Sequence, residues 1–555
     1  MRLEIASKVE EFEASLRANA DTSQRQLAEQ LEIPRSTLQH WLKRKDSIDA
    51  SPEVVAFFES PCGTAFLHRL VLAAHFVMTL LGPCGIRLVC VFLELTGLDQ
   101  FVAASYGSQQ KVSVAMEKAA VEFGDDEKKR LSAKMTSKQI TVCEDETFHP
   151  EICLVGIEPV SNFILLEKYA SSRKSKEWTS SMKDAIGDMP IEVIQSTSDE
   201  GKGICRHVRK DLGVHHSPDL FHVQREIAKA TGVVLASNRR KAEKALEKAS
   251  PEVEKHREEQ KAYLNSKHGP GRPPVFDKRI DAALDKKKEC TASLETARSH
   301  QECVKKAVQG ISATYHPYDL ETGTPRSAEE ISSSLEEHFS TIEDTASEAN
   351  LPARCFKKIE KAKRVVVDMI ATIAFFFLTI KAKVEALSLS PKAERAVYNN
   401  LIPAIYLCLV SNKAKDVEQR HSLQEKSDEL LAPLLARDGP FSGLSTEDRL
   451  LVEETAKECA QLFQRSSSCV EGRNGQLALR HHSLHRISDR KLAALTTVHN
   501  FFVKRDDWTT SAERFFGEPS RDLFEWLLDH LDMPARPAQK RSQRKQKEYL
   551  LQAAA

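Results

Sequence analysis

QITVCEDETF, Gln139 to Phe148, breaks the helical spacing of the chain before it. β-Branched residues alternate with polar ones and an aromatic closes the run, which is the signature of a strand. EICLVGIEPV, NFILLEKYAS and IEVIQSTSD repeat the pattern, bounded by Pro, Asn, Ser and Gly. A helical stretch, SKEWTSSMKDAIG, lies between the third and fourth runs; GICRHVRKDLG and the short segment HHSPDLFHVQ follow the fourth. Three hairpin-joined strands, then helix, strand, helix, strand, predict a mixed sheet with crossover helices over residues 136–228. In such a sheet the first and fourth strands can be neighbours. Asp145 on the first and Asp199 at the end of the fourth then project from one edge, while alternation turns Glu144 and Glu146 to the opposite face. Gly201 and Gly203 let the backbone turn tightly after Asp199.

Paired aspartates are hard oxygen donors suited to Mg²⁺ or Mn²⁺. Two such ions about 4 Å apart can activate an attacking oxygen and stabilise the leaving oxygen of a phosphodiester. A complete site of this kind needs a third carboxylate from another element. SSSCVEGRNGQLALRHHSLHR, Ser466 to Arg486, offers Glu471 among Arg473, Arg480, Arg486, His481, His482 and His485. On the residues alone two readings stand: a surface acid neutralised by its neighbours, or the missing ligand.

The rest of the chain sets the context. With 555 residues, 41% hydrophobic and 29% charged, it has apolar material for two to four units of a soluble globular protein. Its 80 basic and 80 acidic side chains cancel, which excludes wholesale attraction to nucleic acid but leaves local basic patches open. The 12 cysteines show no CxxC pair and no zinc spacing, and read as reduced and intracellular. The N-terminus lacks the apolar core of a signal peptide. The run VVVDMIATIAFFFLTI, Val365 to Ile380, carries Asp368 and is shorter than the roughly 20 residues that span a bilayer, so a core helix is expected.

Residues 1–50 contain SQRQLAEQLEIPRSTLQHWLKRK, a helix-turn-helix pattern with Leu27, Ala28 and Leu31 on one face and Leu38, Trp41 and Leu42 on the second helix. That second helix offers Arg35, Ser36, Thr37, Gln39 and His40 to base edges and Lys43, Arg44 and Lys45 to phosphates. Residues 51–135 are helical and repeat a helix, turn, helix arrangement around Gly97 and Gly107, a candidate second DNA-contacting or dimerisation module, with ordinary helical packing the plainer reading. Residues 229–459 form an all-α insertion that opens with a charged helical hairpin turning at HGPGRPPVF. Residues 460–520 carry Glu471, and residues 521–555 a last helix and a basic tail.

Taken in order, CEDETFH, STSDEGKG, PDLFHV and SSSCVEGRNG resemble the DDE transposases of bacterial insertion sequences, over roughly residues 139–228 and 460–517. The resemblance implies a ribonuclease-H-like α/β core interrupted by the all-α insertion, with the N-terminal helix-turn-helix in front. It implies Asp145, Asp199 and Glu471 as catalytic residues and ligands of two Mg²⁺ (or Mn²⁺) ions. Asp219 and His222 resemble the family's D(2)H motif and take a supporting role, and Arg473, Arg480, His481 and Arg486 would contact DNA phosphates. The partners implied are terminal inverted repeats, target DNA and further copies of the chain, as a homodimer or larger assembly. The location implied is the bacterial cytoplasm, at the nucleoid and away from membrane. Intact acids at all three positions favour an enzyme over a silent DNA-binding regulator, and a metal-dependent nuclease on the same fold is the other alternative.

Overall fold

The computed structural model describes residues 11–18, 23–31, 33–39, 50–148, 150–267, 269, 271–484 and 486–537. At its centre is one mixed sheet of five strands: β1 (Lys138–Phe148), β2 (Ile152–Glu158), β3 (Phe163–Ala170), β4 (Ile191–Ser198) and β5 (His215–Pro218), in the order β3-β2-β1-β4-β5. β2 pairs antiparallel with β1 and β3, whereas β4 runs parallel to both β1 and β5. The strand-rich runs of the sequence therefore fall where expected, and β1 and β4 are neighbours.

Seven helices matter to the sheet and its surroundings: α1 (Tyr106–Ser132), α2 (Ser175–Ile186), α3 (Leu220–Leu264), α4 (Phe276–Thr314), α5 (Val366–Ala386), α6 (Ser468–Leu484) and α7 (Asp489–Phe501). α2 crosses from β3 to β4 on one face, burying Trp178 and Met182. Gly156 of β2 makes room for it, since a Cβ there would stand 3.0 Å from Cε of Met182. α6 and α7 cover the other face. Asn500 of α7 accepts from Ile164 N at 2.9 Å and donates to Ile164 O at 3.0 Å, and α1 packs on α7 with Phe123 edge-on to Phe501 at 5.7 Å. Both faces are thus sealed, as a sheet with parallel crossovers requires.

α3 and α4 form the antiparallel hairpin expected at the start of the insertion. α3 begins at Leu220 rather than near residue 229, so the fifth strand leads directly into the hairpin. The insertion has its own core, with Phe376 of α5 set edge-on to Tyr318 at 5.9 Å and Phe463 at 5.6 Å. Two helical runs, Pro61–Leu81 and Ala353–Ala386, are long and apolar enough to cross a membrane. The expectation that the second is too short is therefore corrected: α5 alone has 21 residues. The expectation of a core helix stands, because Met369, Ile373, Phe376, Ile380 and Val384 are buried along one stripe and Asp368 pairs with Arg209 at 3.0 Å.

Nearer the N-terminus, residues 11–18, 24–30 and 35–39 are helical and pack around Phe12, Ala28, Ile33 and Leu38. In the next segment, Gly97 ends a helix with φ of 70°, but Gly107 lies inside α1, whose N-cap is Ser105. The expected turn at Gly107 is therefore corrected: the Ser105 hydroxyl accepts from Ser108 N and starts a helix there. Phe376→Ala would empty the middle of the insertion core at a cost of about 3–5 kcal/mol. Denaturant titration should show a lower midpoint for the variant.

Candidate active site

The register of β1 on β4 sets the geometry of the acids. Glu144 stands opposite Ser198, so Asp145, the next residue along β1, lies beside Asp199, the residue that follows β4. Glu144 and Glu146 point the other way, as alternation requires. Glu144 is fully buried, accepting from the Ser196 hydroxyl at 2.7 Å and lying 3.3 Å from His207, and Glu146 accepts from the Trp178 indole at 3.3 Å. Glu471 sits in the first turn of α6, and Asn474, one turn on, donates to Oδ2 of Asp145 at 3.0 Å. That bond draws the Glu471 face of α6 over Asp145. Burial above all, then the charges of Asp199 and Glu471, push the Asp145 carboxyl up to about 7, against the opposing effects of the Glu146 N–H and His222. Three acids expected from distant segments therefore act on one another.

Asp219 holds the elements that carry them. Its carboxylate caps α3 by accepting from Phe221 N at 2.8 Å, accepts from the Ser467 hydroxyl at 2.5 Å and lies 3.5 Å from Nδ1 of His222. Its own N–H donates to Ser198 O at 3.0 Å, and Leu220 N donates to Arg465 O at 2.9 Å. The hydrogen bond to Asp219 raises the His222 pKa against burial, and the charges of Asp219, Asp199 and Asp145 add to the rise. The acids around His222 thus favour its protonated form. Ser467 and Asn474 were not singled out in the sequence; a Ser just before a helix and an Asn one turn after its acid are the signals that could have found them.

The expected DNA contacts fare differently. Arg473 is buried and forked onto Glu167 of β3, with bonds of 2.7 and 2.6 Å. Arg480 caps the helical run before Gly82, donating to the carbonyls of Leu80, Leu81 and Gly82. His481 is buried beside the Tyr169 hydroxyl at 3.1 Å. The expectation that these three face phosphates is corrected: each is spent on holding α6 in place. Arg486 is exposed and pairs with Glu151 at 2.9 Å. Arg35 and Ser36 are exposed and Thr37 and Gln39 half-buried, whereas His40, Lys43, Arg44 and Lys45 lie outside the described residues.

The donor set of Asp145, Asp199 and Glu471 is all carboxylate oxygen and half-buried, and the raised Asp145 carboxyl is of the kind a hard dication relieves. The residues suit Mg²⁺ or Mn²⁺ in donor type alone. Among the described residues, a tighter group is Glu200, Cys205 and His216, whose ligand atoms lie within 4.8 Å of one another. Its sulfur suits a softer metal, but Arg209 stands 3.2 Å from Nδ1 of His216 and sets a cation at the ring. Gly203 answers to packing: a Cβ there would meet the Arg173 carbonyl at 2.1 Å.

Residues 397–543 match a family of unknown function (DUF6399). The matched segment contains Glu471, α6 and α7 and lies downstream of both aspartates. No curated protein matches the chain.

Two outcomes are expected. Arg473→Ala leaves Glu167 buried without its partner and should cost about 3–5 kcal/mol, while Arg486→Ala at its exposed pair should leave the urea midpoint nearly unmoved. The raised Asp145 carboxyl contributes stability that is full below the usual aspartate range and is lost as pH rises through about 7. In chelator, the melting temperature of the wild type should therefore fall relative to Asp145→Asn across that window. Parallel pH curves for the two proteins would sink the assignment.

Proposed function

We propose that the protein is a DDE transposase of the bacterial insertion-sequence type, cutting and joining DNA at Asp145, Asp199 and Glu471. The observation that carries the reading is the parallel register of β1 and β4, which sets the two aspartates side by side with Glu471 brought over them by the Asn474 bond. Support also comes from the strand order, with three antiparallel strands followed by two parallel ones, as a ribonuclease-H-like core reading requires. The packed helices at residues 11–39 suit a helix-turn-helix that reads the element ends.

On this reading the three carboxylates hold two Mg²⁺ or Mn²⁺ ions, which when bound supply charge stabilisation at the scissile phosphate. The chain's own residues do the rest. Asp145 within β1 and Asp199 just after β4 lie side by side, Glu471 closes over them from α6, and His222, whose protonated form is favoured by Asp219, faces the incoming phosphate. Water first cleaves the 3′ end of the element, leaving a 3′-hydroxyl. That hydroxyl then attacks a phosphorus of target DNA, forming a new phosphodiester bond as the bond to the target's 3′-oxygen breaks and that oxygen leaves as a 3′-hydroxyl, with no covalent protein intermediate. Both ends must be held together, so the active species is a homodimer or larger assembly.

The test is incubation with Mg²⁺ and labelled DNA bearing the inverted repeats that flank the gene. Nicking at the 3′ ends followed by strand transfer is expected, and Glu471→Gln should reduce both to the metal-free background while end binding persists. Binding without cleavage by the wild type would instead make it a silent regulator, and cleavage without joining a nuclease. Near wild-type cutting by Glu471→Gln would remove Glu471 from the site.

A further inference from the structure

Between the β2–β3 turn, the starts of α3 and α6 and the insertion runs a cleft of 990 Å³. Among the described residues that line it there is no Asp or Glu, although the chain as a whole is charge-balanced. Lys413, Lys415, Arg465 and Arg505 all face it. Loss of water around Lys413, followed by the repulsion of Arg465 and Arg505, pulls its pKa below the usual lysine value. Cations gathered in this way on a wall that carries no acid make a local anion site in a neutral protein.

The cleft also offers an aromatic surface. Phe221 lines it and is 49% exposed, whereas the apolar Leu220 and Val223 on either side of it in the first turn of α3 are buried. Phe221 adjoins His222, and Ser468, another lining residue, lies in the first turn of α6 with Glu471. Lys413 lies within electrostatic reach of Cys143 and Cys469, each two residues from a site carboxylate. The cleft is thus walled in part by the starts of the two helices that carry His222 and Glu471. Glutamine amides at 224, 309, 419 and 464 add neutral donors and acceptors. Cations for phosphates and an exposed ring for a base are the elements of single-strand recognition, in which stacking is tolerant of sequence. A space of this volume suits a strand of a few nucleotides and has no room for a double helix.

We infer that the cleft receives an unpaired strand of DNA leading away from the scissile phosphate, its backbone on Lys413 and Arg505 and a base stacked on Phe221. The inference rests on the transposase reading, because it takes DNA to be the substrate. Arg465 has a second duty, donating to Ser312 O at 2.9 Å and lying 2.6 Å from Nε2 of His316, so it holds the wall as well as its charge.

The experiment uses the full chain in chelator, so that nothing is cut, with a fluorescein-labelled duplex carrying a single-stranded thymine tail and the same duplex blunt. Anisotropy titrations at several salt concentrations should show the wild type favouring the tailed probe. Lys413→Gln with Arg505→Gln should abolish that preference and lower the slope of log K against log salt by about 1.4, roughly 0.7 for each lost contact. Phe221→Ala should weaken tailed-probe binding roughly tenfold with the slope unchanged. Lys287→Gln, on the exposed face of α4, should change neither, and circular dichroism would establish that each variant is folded. Equal affinity of the wild type for both probes, or variants that keep the preference, would overturn the cleft assignment and leave the transposase reading standing. A wild type that binds no DNA in any form would overturn that reading itself, and the inference with it.

Discussion

The site depends on one buried carboxylate that does no chemistry in it. Asp219 is 2% exposed, yet it is tied to three elements at once: it caps α3, accepts from Ser467 at the threshold of α6, and through its N–H meets the last residue of β4. Those elements bring His222, Glu471 and Asp199. A buried charge of this kind is tolerated only when its lone pairs are occupied, and the Asp219 pKa is held below its usual value because His222, Ser467 and Phe221 N–H outweigh the burial that would raise it. Loss of the carboxylate would therefore loosen the acids relative to one another before it touched any of them.

Repulsion among the acids is the constraint that Asp219 and Asn474 work against. Asp145, Asp199 and Glu471 would separate if their backbones were free, and the fold answers from both faces of the sheet. On one, Glu144 is locked by Ser196 and His207; on the other, Arg473 is forked onto Glu167 and Asn474 onto Asp145. The register explains why consecutive residues of α6 can do this. Asp145 stands opposite Val155, and Val155 opposite Glu167, so both acids belong to one row across β1, β2 and β3. Burial strengthens the Arg473 pair: desolvation alone would raise the Glu167 carboxyl, yet the guanidinium holds it below its usual value.

This division also explains what could be read from the chain. Strand periodicity located the first four strands and the order of elements the fifth, and that order allowed Asp145 to lie beside Asp199, because a crossover helix between β3 and β4 lets β4 pair parallel with β1. Local signals could not show what each cation near Glu471 is for. Arg473, Arg480 and His481 look alike beside Glu471 in sequence, and the partners that occupy them, Glu167, the carbonyls at 80–82 and Tyr169, come from segments hundreds of residues away. Gly107 misled for a related reason: glycine often marks a turn, but the Ser105 cap made it the second residue of a helix. The Asp219/His222 pair was legible as a motif, while its work as a tie among three elements appears only when Ser467 folds against it.

The insertion then ceases to be a separable appendage. Phe375 of α5 stacks on His215 of β5 with ring centroids 4.4 Å apart, Thr372 lies 2.9 Å from Nε2 of that histidine, and Asp368 pairs with Arg209. An edge strand left open invites pairing with another chain, and α5 covers this one. Lys413, at the end of its helix, and Arg465, in the link before α6, lie along one wall of the cleft, so the insertion that protects the edge also gives that wall positive charge. An insertion fixed in this way moves with the carboxylates rather than independently of them, which is the arrangement expected of a surface that holds substrate in register with chemistry.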